Sequence, residues 1–139
     1  MRKSYTDALN ETNVRNTILS ARSLYFEGMP FDNSKYYFSP KLFPGVNYTA
    51  YGCAAFAVEL SDKAFDDLPA RHHFNFNKIR VGDIVRIDSN KHSAIVIDVN
   101  GNEITIAEAN FNNSVHWGRK LNINDPTVGW SYVLTRYPE

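Results

Sequence analysis

The chain contains one cysteine, Cys53, in the stretch TAYGCAAFAVEL that covers residues 49–60. Cys53 follows Gly52 directly and begins an apolar run that predicts a helix. The free N–H groups and the dipole at a helix N-terminus favour the thiolate, which is the nucleophilic form of cysteine. A lone cysteine is also commonly a small core side chain, so its position alone leaves a catalytic and a structural interpretation open.

A histidine and a carboxylate lie on two later stretches with strand character. His92 begins the stretch 92–99, and Glu108 and Asn110 lie near the end of the stretch 103–110. Both stretches are short and rich in β-branched residues, which is typical of strands. They are therefore predicted to form one antiparallel hairpin.

The register of this hairpin decides whether His92 and Glu108 share a face of the sheet. A two-residue loop of Asn100 and Gly101 would point the two side chains to opposite faces. In a three-residue loop that begins at Val99, Gly101 adopts a left-handed conformation. His92 then lies directly opposite Glu108, close enough for side-chain contact. We expect this second register because its shared face carries two apolar pairs, Ala94 with Ile106 and Val96 with Ile104.

A cysteine and a histidine brought together can cleave amide bonds. A helix that begins at Cys53 and packs on the face of His92 would bring the thiol to the imidazole. The imidazole takes the thiol proton, and a polar partner fixes the tautomer and orientation of the ring. Glu108 is the expected partner, and Asn110 is the alternative.

Four short motifs occur in order along the chain. They are GCAAF at 52–56, VGDIV at 81–85, HSAIVI at 92–97 and EAN at 108–110. The set resembles the CHAP family of cysteine, histidine-dependent amidohydrolases and peptidases, within the papain-like and NlpC-type superfamily, and the match covers residues 45–136. The resemblance implies a papain-like α+β fold and the cleavage of bacterial cell walls by bacterial or phage enzymes.

The resemblance also implies a role for each residue of the site. Cys53 is the nucleophile that carries an acyl-enzyme, and His92 is the general base. Glu108 is the orienting group, and Asn110 is an auxiliary polar residue. No metal or organic cofactor is needed for this chemistry.

Other residues are candidates for the oxyanion site. Papain-like enzymes place an amide six residues before the cysteine, and Asn47 occupies that position here. Tyr48 and Tyr51 compete for this role. Gly52 is a cleft candidate because its missing side chain leaves room for a substrate backbone.

The stretch 114–121 carries three further cleft candidates, His116, Trp117 and Arg119. His116 is equally compatible with a partly exposed strand position. Rim packing is the simpler interpretation of Trp117, and a surface charge is the simpler interpretation of Arg119. Three residues outside this stretch receive structural assignments. His72 and His73 are expected on the surface because no thiol or carboxylate is spaced to complete a metal site with them, and Asp83 is expected to be structural.

Composition limits the classes of partner. The 15 Lys and Arg residues balance the 15 Asp and Glu residues, so there is no general attraction to nucleic acid. No apolar stretch predicts a membrane span, and the start of the chain lacks the apolar centre of a signal peptide. One cysteine cannot form an internal disulfide, so cysteine usage does not indicate whether the protein acts in an oxidising or a reducing compartment. The resemblance to the CHAP family implies peptidoglycan or a peptide as the partner, and a monomeric domain of a larger protein that acts outside the cell or in the cell wall.

The pattern of elements predicts one α+β domain across residues 1–139, with an N-terminal helical segment at 1–28. A first helix is expected at 13–27, with Thr12 as the N-cap and Gly28 as the stop. A second helix is expected at 52–63. The segment 29–48 is predicted to be irregular but packed, and 61–79 to be turn and loop. A C-terminal antiparallel sheet of about five strands is predicted at 83–88, 92–99, 103–110, 114–121 and 129–136.

Two other functions are compatible with the sequence. One is a thiol peptidase that acts on an amide outside the cell wall. The other is a catalytically silent module that binds the wall, although the complete set of Cys53, His92 and Glu108 argues against silence. Amidases and endopeptidases share this machinery, so the scissile bond stays open.

Overall fold

The computed structural model describes residues 9–138. The first eight residues of the predicted N-terminal segment, and Glu139, lie outside the described residues. Two α-helices are described, α1 at Glu11–Leu19 and α2 at Cys53–Phe65. The strands are β1 Tyr36–Ser39, β2 Tyr48–Tyr51, β3 Arg71–His73, β4 Ile84–Ile87, β5 His92–Asn100, β6 Glu103–Phe111, β7 Ser114–Asn122 and β8 Tyr132–Thr135. The predicted α+β class is confirmed.

The first helix begins earlier and ends earlier than predicted. Asn10, and not Thr12, is the N-cap, because its side chain accepts a hydrogen bond from the Asn13 amide at 2.9 Å. After Leu19 the chain tightens into a 3₁₀ turn at Ser20–Ser23. The hydroxyl of Ser20 donates to a carbonyl three residues back at 2.6 Å, and such serine bonds compete with the helical ladder.

The second helix begins at Cys53 as predicted and continues two residues beyond the predicted end, to Phe65. It packs on the sheet through a largely buried surface. Its buried residues are Ala55, Phe56, Ala57, Val58, Leu60, Ser61, Asp62 and Phe65. Among residues 9–138, no helix has the length and apolar character needed to cross a membrane.

The main sheet has six antiparallel strands in the order β3-β8-β4-β5-β6-β7, and β1 and β2 form a separate two-stranded sheet. The five predicted strands are all present. The sixth strand, β3, lies in the segment 61–79, for which only turn and loop were predicted. It is three residues long and mostly exposed, so it lacks the apolar alternation that marks a strand. The segment 29–48 likewise contains β1 and the start of β2.

Neither predicted register describes the hairpin of β5 and β6. Asn100 pairs with Glu103, so the loop consists of Gly101 and Asn102. Gly101 has the expected positive φ, +63°. The pairing then shifts at Ile97, which lies unpaired between two paired residues of β5. This β-bulge adds one residue to β5. The side chains of β5 before the bulge therefore lie on the opposite face from the one they would occupy in a regular hairpin.

A side chain of α1 binds the bulge. Arg15 donates from Nε to the Ile97 carbonyl at 2.8 Å and from Nη2 to the Asp98 carboxylate at 2.9 Å. The bulged residue has no ladder partner in the hairpin, so the guanidinium supplies one. Helix α1 therefore helps to set the register of the strands that carry His92 and Glu108.

The two faces of the main sheet bury different apolar clusters. The cluster that contains the residues of α2 includes Ile95 and Ala107, whereas Ala94 and Ile106 belong to the second cluster. Strand alternation therefore places His92 on the face opposite to α2. The prediction that the helix packs on the face of His92 is wrong. The thiol still reaches the histidine, because the helix begins beside the first residues of β5.

Candidate active site

Gly52 immediately precedes the cysteine and has backbone angles of φ +56° and ψ −125°. Residues other than glycine rarely adopt this combination. A Cβ at this position would lie 2.3 Å from Asn33 Oδ1 and 3.0 Å from Asn110 Nδ2. Glycine is thus required by conformation and by space. The expectation that this space admits a substrate backbone is wrong, because the two amide side chains occupy it.

Cys53 is the first residue of α2 and is half-buried. The backbone amide of Ser93 donates to its Sγ at 3.4 Å. Burial by itself raises the pKa of the Cys53 thiol, but the hydrogen bonds from His92 and Ser93 and the charges of His92 and Arg86 outweigh it. The thiol pKa therefore lies below its ordinary value, and the thiolate is favoured.

The predicted contact between His92 and Glu108 is present. Both side chains are buried, and His92 Nε2 lies 2.8 Å from Glu108 Oε1. Because Nε2 faces the carboxylate, Nδ1 is the ring nitrogen left for Cys53. Burial lowers the pKa of His92, but its hydrogen bonds and charge interactions with Cys53 and Glu108 raise the pKa to about 9. The arrangement favours a thiolate and an imidazolium side by side.

Arg119 holds the far side of the Glu108 carboxylate, which the sequence did not indicate. Its Nε donates to Oε2 at 2.8 Å and its Nη2 to Oε1 at 2.7 Å. Burial raises the pKa of Glu108, but the hydrogen bonds from Arg119 and His92 bring it below its ordinary value. Arg119 therefore keeps the carboxylate charged and is more than a surface charge. It also lines the groove on the His92 side, as expected of a cleft residue.

A second bulge explains how β7 presents Arg119 to Glu108. The pairing of β6 with β7 shifts between Ile106 and Ala107, so that Gly118 of β7 is left over, with φ +123°. Trp117 consequently points to the side of α2, where its ring contacts Phe56 edge-on at 5.7 Å between centroids. Arg119 points to the other side, toward the carboxylate.

Asn110 has φ +57° near the end of β6. Its Nδ2 donates to Asn33 Oδ1 at 2.9 Å, so it connects β6 to the loop that precedes β1. Asn110 also lines a groove together with His92. The structure thus places Glu108, and not Asn110, against the Nε2 atom of the imidazole.

Two grooves meet at the catalytic candidates. The groove on the Cys53 side has a volume of about 320 Å³ and is lined by Asn33, Tyr48, Tyr51, Arg86, Asn90, Lys91, Ser93 and Tyr132, among others. The groove on the His92 side has a volume of about 350 Å³ and includes Asp88, Lys91, Asn110, Phe111 and Arg119. Lys91 lines both grooves, so the thiol and the imidazole lie in neighbouring grooves.

The oxyanion candidates separate in the structure. Asn47 is exposed and is not among the residues that line the Cys53 groove, whereas Tyr48 and Tyr51 are. Burial raises the pKa of Tyr48, so its hydroxyl remains a hydrogen-bond donor at neutral pH. Asn33 also lines this groove, and the sequence did not indicate it because it lies twenty residues before Cys53 in an irregular segment.

His116 and Trp117 are half-buried and line neither groove. His116 Nδ1 lies 2.7 Å from Glu27 Oε2, and its Nε2 lies 2.9 Å from Ser114 Oγ. Trp117 Nε1 donates to the Tyr25 carbonyl at 2.7 Å. Both residues join the segment after α1 to β7, so their assignment as cleft residues is wrong.

The remaining histidines and Asp83 have structural surroundings. His72 is exposed and stacks on Phe43, with ring centroids 5.9 Å apart. Asp83 is buried, and it accepts a hydrogen bond from the Arg80 amide at 2.9 Å, so its expected structural role agrees with its contacts. Burial raises the pKa of Asp83 to about 7. Within residues 9–138, no three His, Cys, Asp or Glu side chains are grouped to hold a metal ion.

Comparisons with known proteins show a similarity of fold. No protein-family model matches the chain, and no curated protein matches it. The crystal structure of Ly7917 matches with a TM-score of 0.54 over 91% of this chain, at 17% sequence identity. This chain covers 62% of Ly7917, and so spans less than two thirds of that protein. At this identity, the similarity shows a shared fold.

Proposed function

We propose that the chain is a cysteine-dependent hydrolase of amide bonds, with a papain-like arrangement of the CHAP type. One observation carries the proposal. The Cys53 thiol lies at a helix start beside His92, and the imidazole of His92 is bound by the buried carboxylate of Glu108 at 2.8 Å. These are the positions that a nucleophile, a general base and an orienting group require.

The reaction begins with attack of the Cys53 thiolate on the carbonyl carbon of the amide. The developing oxyanion is stabilised by the Cys53 backbone N–H and by the hydroxyl of Tyr48 or Tyr51, the two candidates that line the Cys53 groove. His92 donates the proton on Nδ1 to the leaving nitrogen, the C–N bond breaks, and the amine leaves an acyl-enzyme. His92 then takes a proton from water, which attacks the thioester, and the thiolate leaves as the acid forms.

Glu108 and Arg119 support this cycle through the imidazole of His92. The Glu108 carboxylate fixes the ring through Nε2 and stabilises the imidazolium. Arg119 binds both carboxylate oxygens at 2.7–2.8 Å, so the carboxylate is held in one orientation. Because two cations share one buried carboxylate, the three side chains act as a unit.

Peptidoglycan is the proposed substrate, and the resemblance of the four motifs supports it. The proposed setting is a monomeric domain of a larger protein that acts at the cell wall or outside the cell. An amidase and an endopeptidase would both use the Cys53 machinery, so the products identify the bond.

Digestion of purified peptidoglycan tests the proposal. Mass analysis of the released muropeptides should show new amino and carboxyl termini at one type of amide bond. Cys53→Ala should release none of them and remain folded, at a cost of at most about 1–2 kcal/mol of unfolding free energy. Cleavage of peptides but not of peptidoglycan would favour a thiol peptidase with another substrate. Hydrolysis by Cys53→Ala would contradict the nucleophile.

A further inference from the structure

The turn between β4 and β5 lies directly before His92 and has an unusual backbone. We propose that Arg86 is a positioning residue that holds this turn, and with it His92 and the Ser93 amide, against Cys53. The proposal rests on the proposed function and adds a residue that the four motifs do not contain.

Three consecutive residues of the turn are left-handed. Asp88, Ser89 and Asn90 have φ values of +55°, +55° and +70°. Asp and Asn enter this region as single residues, but a run of three non-glycine residues persists only where the surroundings hold it in place. The structure therefore has to hold this backbone immediately before His92.

Arg86 provides that support from the side of the cysteine. Its Nε donates to Asn90 Oδ1 at 3.0 Å, and its Nη2 donates to the Asn90 carbonyl at 2.8 Å. Its Nη1 donates to Ser93 Oγ at 2.8 Å. One rigid guanidinium thus joins the end of the turn to β5, in a geometry that a lysine ammonium cannot reproduce.

The opposite side of the turn is held by the loop before β8. The Asp88 amide donates to the Val128 carbonyl at 2.9 Å, and the Ser89 amide donates to the Gly129 carbonyl at 3.0 Å. A Cβ on Gly129 would lie 2.6 Å from the Ser89 nitrogen. Arg86 and this loop therefore enclose the turn between them.

The residues held by Arg86 are the ones that contact the thiol. Ser93 donates its amide to Cys53 Sγ, and His92 precedes it by one residue. The Arg86 charge also acts on Cys53. Beside His92, the other titratable groups that face the thiol across the groove are Lys91, Tyr48, Tyr51 and Tyr132.

Four variants separate the hydrogen bonds of Arg86 from its charge. Arg86→Gln removes both, and Arg86→Lys keeps the charge but loses the set of hydrogen bonds that the planar guanidinium makes. Asn90→Gly keeps a backbone that tolerates positive φ and removes one acceptor. Lys91→Gln is the control, because it removes a positive charge from the same groove and leaves the contacts of Arg86 in place.

Two readouts are measured on each folded variant, kcat and KM on a soluble muropeptide and the pH dependence of Cys53 alkylation by iodoacetamide. Arg86→Gln should lower kcat by about 10–100-fold, as expected for a misplaced catalytic group, and change KM little. Its alkylation midpoint should rise, because a cation and the support of a hydrogen bond to the thiolate are lost. Relative to Arg86→Gln, Arg86→Lys should recover part of the shift in the alkylation midpoint but little of kcat. Lys91→Gln should shift the midpoint less than Arg86→Gln does, because the Arg86 charge is one that lowers the thiol pKa.

Wild-type kcat and alkylation in Arg86→Gln would overturn the proposal, and so would an equal midpoint shift in Lys91→Gln. If circular dichroism shows that Arg86→Gln does not fold, Asn90→Gly tests the proposal instead. We expect a smaller loss of kcat in Asn90→Gly, and wild-type values of kcat and of the alkylation midpoint would contradict the proposal. If no variant and no wild-type protein hydrolyses an amide, the proposed function fails. The alkylation profiles still show whether Arg86 positions the residues around Cys53.

Discussion

His92 Nε2 and Glu108 Oε1 lie 2.8 Å apart although the two residues are not opposite each other in the hairpin. Ile95 pairs with Ala107, and this register makes the two residues diagonal neighbours on one face. A hairpin that continued regularly from the Gly101 loop would place them on opposite faces. The bulge at Ile97 changes that parity, so one extra residue in β5 allows the imidazole and the carboxylate to meet.

The first prediction ranks three residues around this contact by severity. His92 moves a proton in both half-reactions, so His92→Ala should remove nearly all activity. Glu108→Gln should retain measurable activity. Its loss of kcat/KM should lie near the lower end of the roughly 10²–10⁴-fold range that acid–base groups contribute. Asn110→Ala should cost less than either, because its side chain binds Asn33. The measurement is kcat/KM on a soluble muropeptide, and a greater loss in Asn110→Ala than in Glu108→Gln would move the orienting role to Asn110.

The second prediction concerns the stability that Arg119 contributes. Arg119→Met leaves the buried Glu108 carboxylate with His92 as its partner, and should lower the free energy of unfolding by about 1–3 kcal/mol. Lys120→Met is the matched control on the same strand, because its ion pair with Glu103 is exposed and long, 3.9 Å. The control should change stability by at most about 0.5 kcal/mol. Urea unfolding of both variants measures the difference, and equal losses would show that Arg119 is an ordinary surface charge.

These residues also show what the sequence could predict and what it could not. The helix start at Cys53 and the strands of His92 and Glu108 follow from local apolar patterns and turn residues. The register does not, because the bulge at Ile97 is held by Arg15 from a distant helix. The apolar pattern and the turn residues of the hairpin therefore predicted the contact between His92 and Glu108 correctly, but from a wrong strand register.

The same limit applies to residues that the sequence interpretation assigned elsewhere or missed. Arg119 reaches Glu108 because the bulge at Gly118 separates it from the face of Trp117, and a lone glycine in a strand does not reveal the direction of that change. Asn33 comes to the cysteine through the folding of an irregular segment. Its amide fills the space beside Gly52, which depends on tertiary packing and not on spacing in the sequence.

The third prediction separates backbone strain from steric overlap at Gly52. Gly52→Ala should lower the free energy of unfolding by about 1–3 kcal/mol through its positive φ, and further through overlap with Asn33. Gly28→Ala is the control, because Gly28 has φ +82° but a Cβ there would have no neighbouring atom within 4 Å. Thermal unfolding of both, with Asn33→Ala added to Gly52→Ala, measures the two contributions. An equal loss in the two single variants would mean that Asn33 does not constrain the turn before Cys53.

The fourth prediction is the alkaline limit of activity. The reactive form needs protonated His92, whose pKa is raised to about 9, so kcat/KM should fall as the pH rises through about 9. Glu108→Gln removes a negative charge that favours the imidazolium, so its alkaline limb should move to lower pH. Asn110→Ala should leave the limb where it is. A pH–rate profile of the three proteins tests this, and an unmoved limb in Glu108→Gln would count against the His92–Glu108 coupling.

The pH dependence of Cys53 alkylation by iodoacetamide tests the central claim most directly, because it needs no substrate. The account predicts a midpoint clearly below the ordinary thiol pKa of about 8.5 in the wild type, and a midpoint that rises in His92→Ala. Mass spectrometry at each pH measures the modified fraction of the single cysteine. A wild-type midpoint at or above about 8.5, unchanged in His92→Ala, would show that Cys53 is a structural thiol and would contradict the proposed catalytic site.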